Sequence, residues 1–336
     1  MLEHASIVAL LALSLHLPFP ISSLGMTHPA IPEPVSGRAA SPEGILPADV
    51  LARVELLRKE VEAIRFEMGK PRRSSPPRAA SKATSHEVYF QAITLFLKAD
   101  RLALELAGST GVLPEGVSPL GIRPYHVWTI VNAAYLQIQS VKQELGIQES
   151  FAEQPQDPST TPTDVVRAIV RTNRQLNLML ERRFSPSDVY QQITVAIEYT
   201  SHLLEQFPGE NQAPSAPRFQ RGKVPRDVFV RLLDCYSRLR SIAHHSGVTI
   251  GQLDAKAVKG MEVRPSDVYD LATLIVSDLA YLHAHFPEIA HPRIVTHPGR
   301  KFPSHVYQQA GVLQTQLIAL HKHVADNPGW LQPSAR

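Results

Sequence analysis

Carboxylates and histidines recurring at one level of a helical repeat are the residues of this chain whose types and spacing could do chemistry. Glu67, Glu105, Glu144 and Arg182 each stand 17 residues after a valine that opens a helical segment; Gln206, His245, His285 and His323 stand at the same offset after four more valines. If the segments run parallel, each set of four shares a level and forms a ring. The histidines would suit a transition metal, and the carboxylates a harder cation or a small polar ligand. Carboxylates at helix C-termini also oppose the helix dipole, so a positive partner would help them. Position 17 flanks the apolar seam, however. Solvated side chains belong at such positions, and that account, which needs no assumed topology, is the one the sequence favours.

A second candidate set follows the valines directly. Tyr89, Trp128, Tyr190, Phe229, Tyr269 and Tyr307 place an aromatic ring one residue into six segments. Tyr190, Tyr269 and Tyr307 could offer hydroxyls to a ligand at the helix starts. The regularity of the pattern favours wedges that pack against incoming chain. Histidine is concentrated late, but His283/His285 and His321/His323 are spaced i, i+2 and diverge on a helix, unlike the i, i+4 pairs of zinc helices. The chain carries no glycine-rich phosphate loop, Cys-x-x-Cys pair, His-Glu-x-x-His helix or Gly-x-Ser-x-Gly elbow. No cofactor is expected, and the expected protein is not an enzyme.

The elements that must position these residues follow from one recurring stretch, seen in Ser185-Pro-Ser-Asp-Val-Tyr190. It occurs in eight versions, whose valines are Val50, Val88, Val127, Val165, Val189, Val228, Val268 and Val306, and seven of the eight place a proline three residues before the valine. Ser185 reads as an N-cap, Pro186 as the first helical residue, where a missing N–H costs nothing, and Asp188 as the acid of the first turn. From each valine, apolar residues recur at offsets 0, 4, 7, 11, 14 and 18, as in Val306, Ala310, Leu313, Leu317, Leu320 and Val324. That alternation is a helical seam and excludes strands.

The valines are 38, 39, 38, 24, 39, 40 and 38 residues apart. The short step divides the chain, and the two blocks of four match at offsets of 139 to 141 residues. The expected fold is therefore all-α: a tandem duplication of a four-helix unit, with eight long helices joined by long Pro-rich linkers. The units are expected over residues 47–184 and 185–326. A disordered stretch over 26–46 should precede them and a tail over 327–336 follow. Helix four is expected to reach about Arg183, and a short helix is expected over Gln252 to Lys259.

Six connections run to about 15–18 residues, far beyond what antiparallel neighbours need. A helix of about 22 residues is roughly 33 Å long, and 16 extended residues reach roughly 50 Å, so each linker can return along its helix. Parallel helices within each half are the expectation, with the Phe184-Ser185 turn setting the halves in opposite senses; up-down bundles with overlong loops are the alternative.

The chain has 336 residues and a net charge of +3, from 34 Lys+Arg against 31 Asp+Glu, without the dense basic face of a nucleic-acid binder. The basic run from Lys70 to Lys82 lies among Pro and Ser and reads as a solvated linker. A single cysteine, Cys235, excludes an internal disulfide and falls on the apolar seam. Residues 5–15 form an apolar run too short to span a bilayer but suited to the core of a signal peptide over residues 1–25, despite Glu3 and the lack of a leading Lys or Arg. A periplasmic or secreted protein is expected on that basis, a cytoplasmic one if Met26 is the true start. No other segment is apolar enough to be transmembrane. The leading functional expectation is a structural or protein-interaction protein that binds a partner or associates with itself. The alternative is a bundle binding a small ligand or metal near its helix C-termini.

Overall fold

Each helix opens with the same exchange of hydrogen bonds. The third helical residue turns back to accept the N–H of the N-cap residue: Asp49 from Leu46 (2.8 Å), Glu87 from Thr84 (2.7 Å), Asp164 from Thr161 (3.0 Å), Asp188 from Ser185 (2.7 Å), Asp227 from Val224 (2.9 Å) and Asp267 from Arg264 (2.9 Å). In the other two helices the acceptor is a histidine Nδ1, His126 for Arg123 (3.0 Å) and His305 for Phe302 (3.1 Å). This is one half of a capping box, and the proline beside it has no N–H to leave unpaired.

The computed structural model describes residues 44–71, 80–180, 184–207, 216–253, 263–286, 288–289, 292 and 299–331. Among these residues are eight helices: α1 (Pro47–Glu67), α2 (Ser85–Ala107), α3 (Pro124–Glu144), α4 (Pro162–Met179), α5 (Pro186–Leu204), α6 (Pro225–His245), α7 (Pro265–His283) and α8 (Pro303–Asp326). A 3-10 turn spans Pro119–Gly121, and two short strands, β1 (Ala80–Ser81) and β2 (Gln252–Leu253), pair antiparallel. None of the described helices is long and apolar enough to cross a membrane. The expected signal peptide and the linker as far as residue 43 lie outside the described residues.

Two hydrophobic clusters form the core, one from residues 50–180 and the other from residues 189–331. In the first, α1 and α2 each pack on α3 and α4; in the second, α5 and α6 each pack on α7 and α8. The seam is buried as its spacing requires: Val306, Ala310, Leu313, Leu317, Leu320 and Val324 are all inside. Cys235 is also buried there, its Sγ against the Ala310 carbonyl at 3.8 Å, and burial pushes the thiol up to about 12.

Within each half the helices start at the same end. Pro186, Pro225, Pro265 and Pro303 and the valines after them surround one dimple of about 20 Å³, and the four starts of the first half surround another of the same size. Cross-helix bonds advance in step along α5 and α8, from Gln309–Thr194 (3.2 Å) to Gln316–Ser201 (2.6 Å), which fixes parallel directions. The chain before one start also bonds to the first turn of a neighbour: Ala83 N–H to Thr163 Oγ1 (3.0 Å), Lys223 N–H to Ser304 Oγ (3.2 Å) and Lys301 N–H to Ser187 Oγ (3.0 Å). Parallel packing brings four positive dipole ends together, and the first-turn acids offset that charge.

Three local expectations differ from the structure. Helix α4 ends at Met179, where Leu180 turns extended (φ −63°, ψ 122°), and residues 181–183 lie outside the described residues. Gln252 and Leu253, expected to open a helix, pair with β1 instead, and residues 254–259 lie outside the described residues. The tail is held as far as Leu331: Trp330 packs against Phe207 and Phe286 at 5.4 and 5.3 Å and donates its indole N–H to Ser246 Oγ (2.6 Å).

Candidate functional site

The halves meet where α2 lies against α7. These helices run in opposite senses, since His86 at the start of α2 reaches Asp278 late in α7, while Lys98, further along α2, reaches Asp270 near the start of α7. The joint is polar and buried. His86, Glu87 and Asp278 are 3%, 2% and 0% exposed, and Lys98 is 1% exposed.

The first turn of α2 places two of these side chains. Thr84 is its N-cap, and Glu87 accepts the Thr84 N–H through Oε2. Glu87 Oε1 accepts the Gly251 N–H (2.6 Å) from the segment following α6. A Cβ at Gly251 would collide with that oxygen, so the close approach requires glycine. His86 sits between the Thr84 hydroxyl at Nδ1 (2.6 Å) and Asp278 Oδ1 at Nε2 (2.9 Å), with its ring stacked flat on Tyr281 at 4.1 Å. The Tyr236 hydroxyl is 3.4 Å from Glu87 Oε1 and close enough to Asp278 to favour its anion. Its single proton goes to the Gly251 carbonyl at 2.9 Å, and Asp278 Oδ2 is left with no hydrogen-bond partner.

Burial governs the charges here. It pushes the Asp278 carboxyl well above the usual carboxylate range and, with the Asp278 charge nearby, raises Glu87 to about 7. Burial lowers His86 to about 4, against the pull of Glu87. A neutral imidazole and two crowded acids can share protons or surround a cation. The second tie is simpler: Lys98 Nζ meets Asp270 Oδ1 at 2.7 Å and lies 5.3 Å from the centre of the Phe184 ring.

The residues singled out from the sequence lie elsewhere. Glu67 and Glu144 are exposed, Glu105 pairs with Arg101 one turn back (3.1 Å), and Arg182 falls outside the described residues. His245 and His285 donate Nδ1–H to carbonyls one turn earlier, of Ser241 (2.7 Å) and Tyr281 (3.0 Å), and His323 stacks on Phe207 at 5.0 Å. The structure brings neither set into a ligand cluster among the described residues. Among the described residues a single group of three His, Cys, Asp or Glu side chains has donor atoms within 4.8 Å of one another, and it is His86, Glu87 and Asp278. The tyrosines meet incoming chain: Tyr269 stacks on Phe184 (4.2 Å), Tyr190 lies under Lys301 (4.8 Å) and Tyr307 between Arg231 and Lys223 (3.6 and 4.4 Å).

Sequence reasoning passed over His86, Glu87 and Asp278, though two signals pointed there. Ser85-His-Glu-Val88 is the one version of the repeat without its proline. Asp278 stands at offset 10, directly before a core position, where Glu60, Lys98 and Gln316 are also buried. Comparison of the chain with protein-family models, curated proteins and solved structures finds no match to any of the three.

Proposed function

We propose that the protein is a non-enzymatic structural or protein-interaction protein, exported to the cell envelope, in which a tandemly duplicated four-helix unit with long Pro-rich return segments holds a partner protein or a second copy of the chain. The observation that carries this is an aromatic and basic patch at the helix starts of the second half. Phe219 (41% exposed) and Phe302 (51%) flank the His305 ring at 5.1 and 5.8 Å. Val224 (52%), the N-cap residue of α6, lies at the start of the helix that packs on α8, and Arg300 sits over Phe302 at 5.4 Å. Exposed aromatics rimmed by arginine and lysine have the composition of an interface centre. The matching contact pattern of the two halves supports the duplication.

The test is chemical crosslinking and sedimentation of the full chain beside the double variant Phe219→Asp/Phe302→Asp. Self-association or capture of one defined partner, lost in the variant at unchanged helix content, is the expected result. Association that is indifferent to the two substitutions refutes the assignment. A second reading, a small-ligand bundle, is favoured by the groove of about 900 Å³ at the C-terminal ends of α1 and α3, lined by Arg58, Glu62, Arg65, Glu67, Gln148 and Phe151. That volume is within the range of ligand sites.

A further inference from the structure

An interaction scaffold has no use for the donor set buried in its joint. We propose that His86 Nε2, a Glu87 carboxylate oxygen and the Asp278 carboxylate bind one divalent transition-metal ion between α2 and α7. Imidazole with two carboxylates is a nitrogen–oxygen donor set of the kind that holds zinc, manganese or iron. Two ligands each about 2.1 Å from one metal, at tetrahedral or octahedral angles, lie roughly 3.0–3.4 Å apart. The 2.9 Å gap between Nε2 and Asp278 Oδ1 is already close to that spacing, and the Glu87 oxygen, within 4.8 Å of the other donors, has to close by up to about 1.5 Å.

Three further features fit a cation. Asp278 is fully buried, and its Oδ2 makes no hydrogen bond because the nearby Tyr236 hydroxyl gives its proton to the Gly251 carbonyl; a buried carboxylate oxygen left so is costly. With their protons displaced, the two carboxylates and the neutral imidazole carry a formal charge of −2, which a divalent ion cancels, so binding releases protons. The donors are also held in place: Thr84 Oγ1 and the Tyr281 ring fix His86, and the Thr84 and Gly251 N–H groups orient Glu87. The Thr84 N–H and hydroxyl both face Glu87 Oε2, and with the Tyr236 proton on the Gly251 carbonyl it is Oε1 that keeps a lone pair for the ion. Glu87, Tyr236 and Gly251 line a cavity of about 50 Å³ between the halves, room enough for an ion to enter with water.

The test uses the full chain, stripped with EDTA and titrated calorimetrically with Zn(II) and Mn(II), with Co(II) absorption as a spectroscopic readout. One ion per chain is expected, with a rise in the thermal midpoint. Asp278→Asn and His86→Gln should each weaken binding at least tenfold and abolish the Co(II) band. His244→Gln, an exposed histidine at the far end of α6, should leave both unchanged. Should Asp278→Asn lose its helical circular dichroism, Gly251→Ala decides instead, because it displaces Glu87 alone and should weaken binding at least tenfold. The proposal is overturned if the wild-type chain binds no ion, or if folded joint variants bind as it does; in either case the cluster holds protons instead. Interaction through the Phe219/Phe302 patch is unaffected by either outcome.

Discussion

Removing the Asp270 carboxylate should destabilise the protein far more than removing its partner, Lys98. The ammonium is 1% exposed and bonds Asp270 Oδ1 at 2.7 Å, while the Asp270 side chain keeps 14% of its surface. In Asp270→Asn the lysine stays buried with an amide where its counter-ion was, a change that costs about 3–5 kcal/mol for a buried pair. In Lys98→Met the orphaned carboxylate can draw on its exposed edge, and the loss should be about 1–3 kcal/mol. The double variant Lys98→Met/Asp270→Leu removes both charges and should return to within about 1–2 kcal/mol of the wild type. Urea unfolding followed by circular dichroism, read as a double-mutant cycle, measures all three. Two small, additive single losses would refute the account of this contact, since they would mean the pair is solvated and the halves are not tied there.

Cys235 should resist a thiol reagent in the native protein and react fully in denaturant; rapid native labelling would contradict a thiol raised to about 12 by burial. Leu317→Ala, at a fully buried seam position, should cost about 2–5 kcal/mol, whereas the same change at exposed Leu136 should cost under about 1 kcal/mol. Asp164 is held below its ordinary 3.8 chiefly by the Thr161 hydroxyl and N–H. A depressed carboxyl adds stability above 3.8 that is lost as the pH falls through its folded value, so the gap between wild type and Asp164→Ala should close on acidification below 3.8. A gap that persists in acid would show the cap acts without its charge.

The helical elements were legible because cap, proline, acid and valine recur with a seam behind them, so every local signal agreed. Linker length made parallel direction the expectation without deciding it, since a linker longer than its helix permits a return but also fits an up-down bundle with overlong loops. Which helix packs on which was not legible, because the seam of α2 looks like that of α4 and pairing is decided by tertiary fit. The joint was hidden for the same reason. Lys98 and Asp278 occupy an offset that carries half-buried Gln137 and Arg238 in other copies, and the docking of α2 on α7 is what buries these two. The described residues at offset 17 find separate partners within their own helix or on a neighbour, as Glu105 does on Arg101 and His323 on Phe207, and spacing alone does not reveal such partners. The end of α4 was missed because its seam residues Leu176, Met179 and Leu180 are buried whether or not the helix continues.

The most direct test is the distance between nitroxide labels at Leu46→Cys and Arg123→Cys in a Cys235→Ser chain. These exposed positions are the N-caps of α1 and α3, which pack on each other. Packed parallel helices put their starts about 10 Å apart before the label arms are added, so a narrow distribution below about 20 Å is the result predicted. An antiparallel pair of 21-residue helices would separate the same labels by about 30 Å or more, and a distribution centred there would contradict the parallel arrangement of each half.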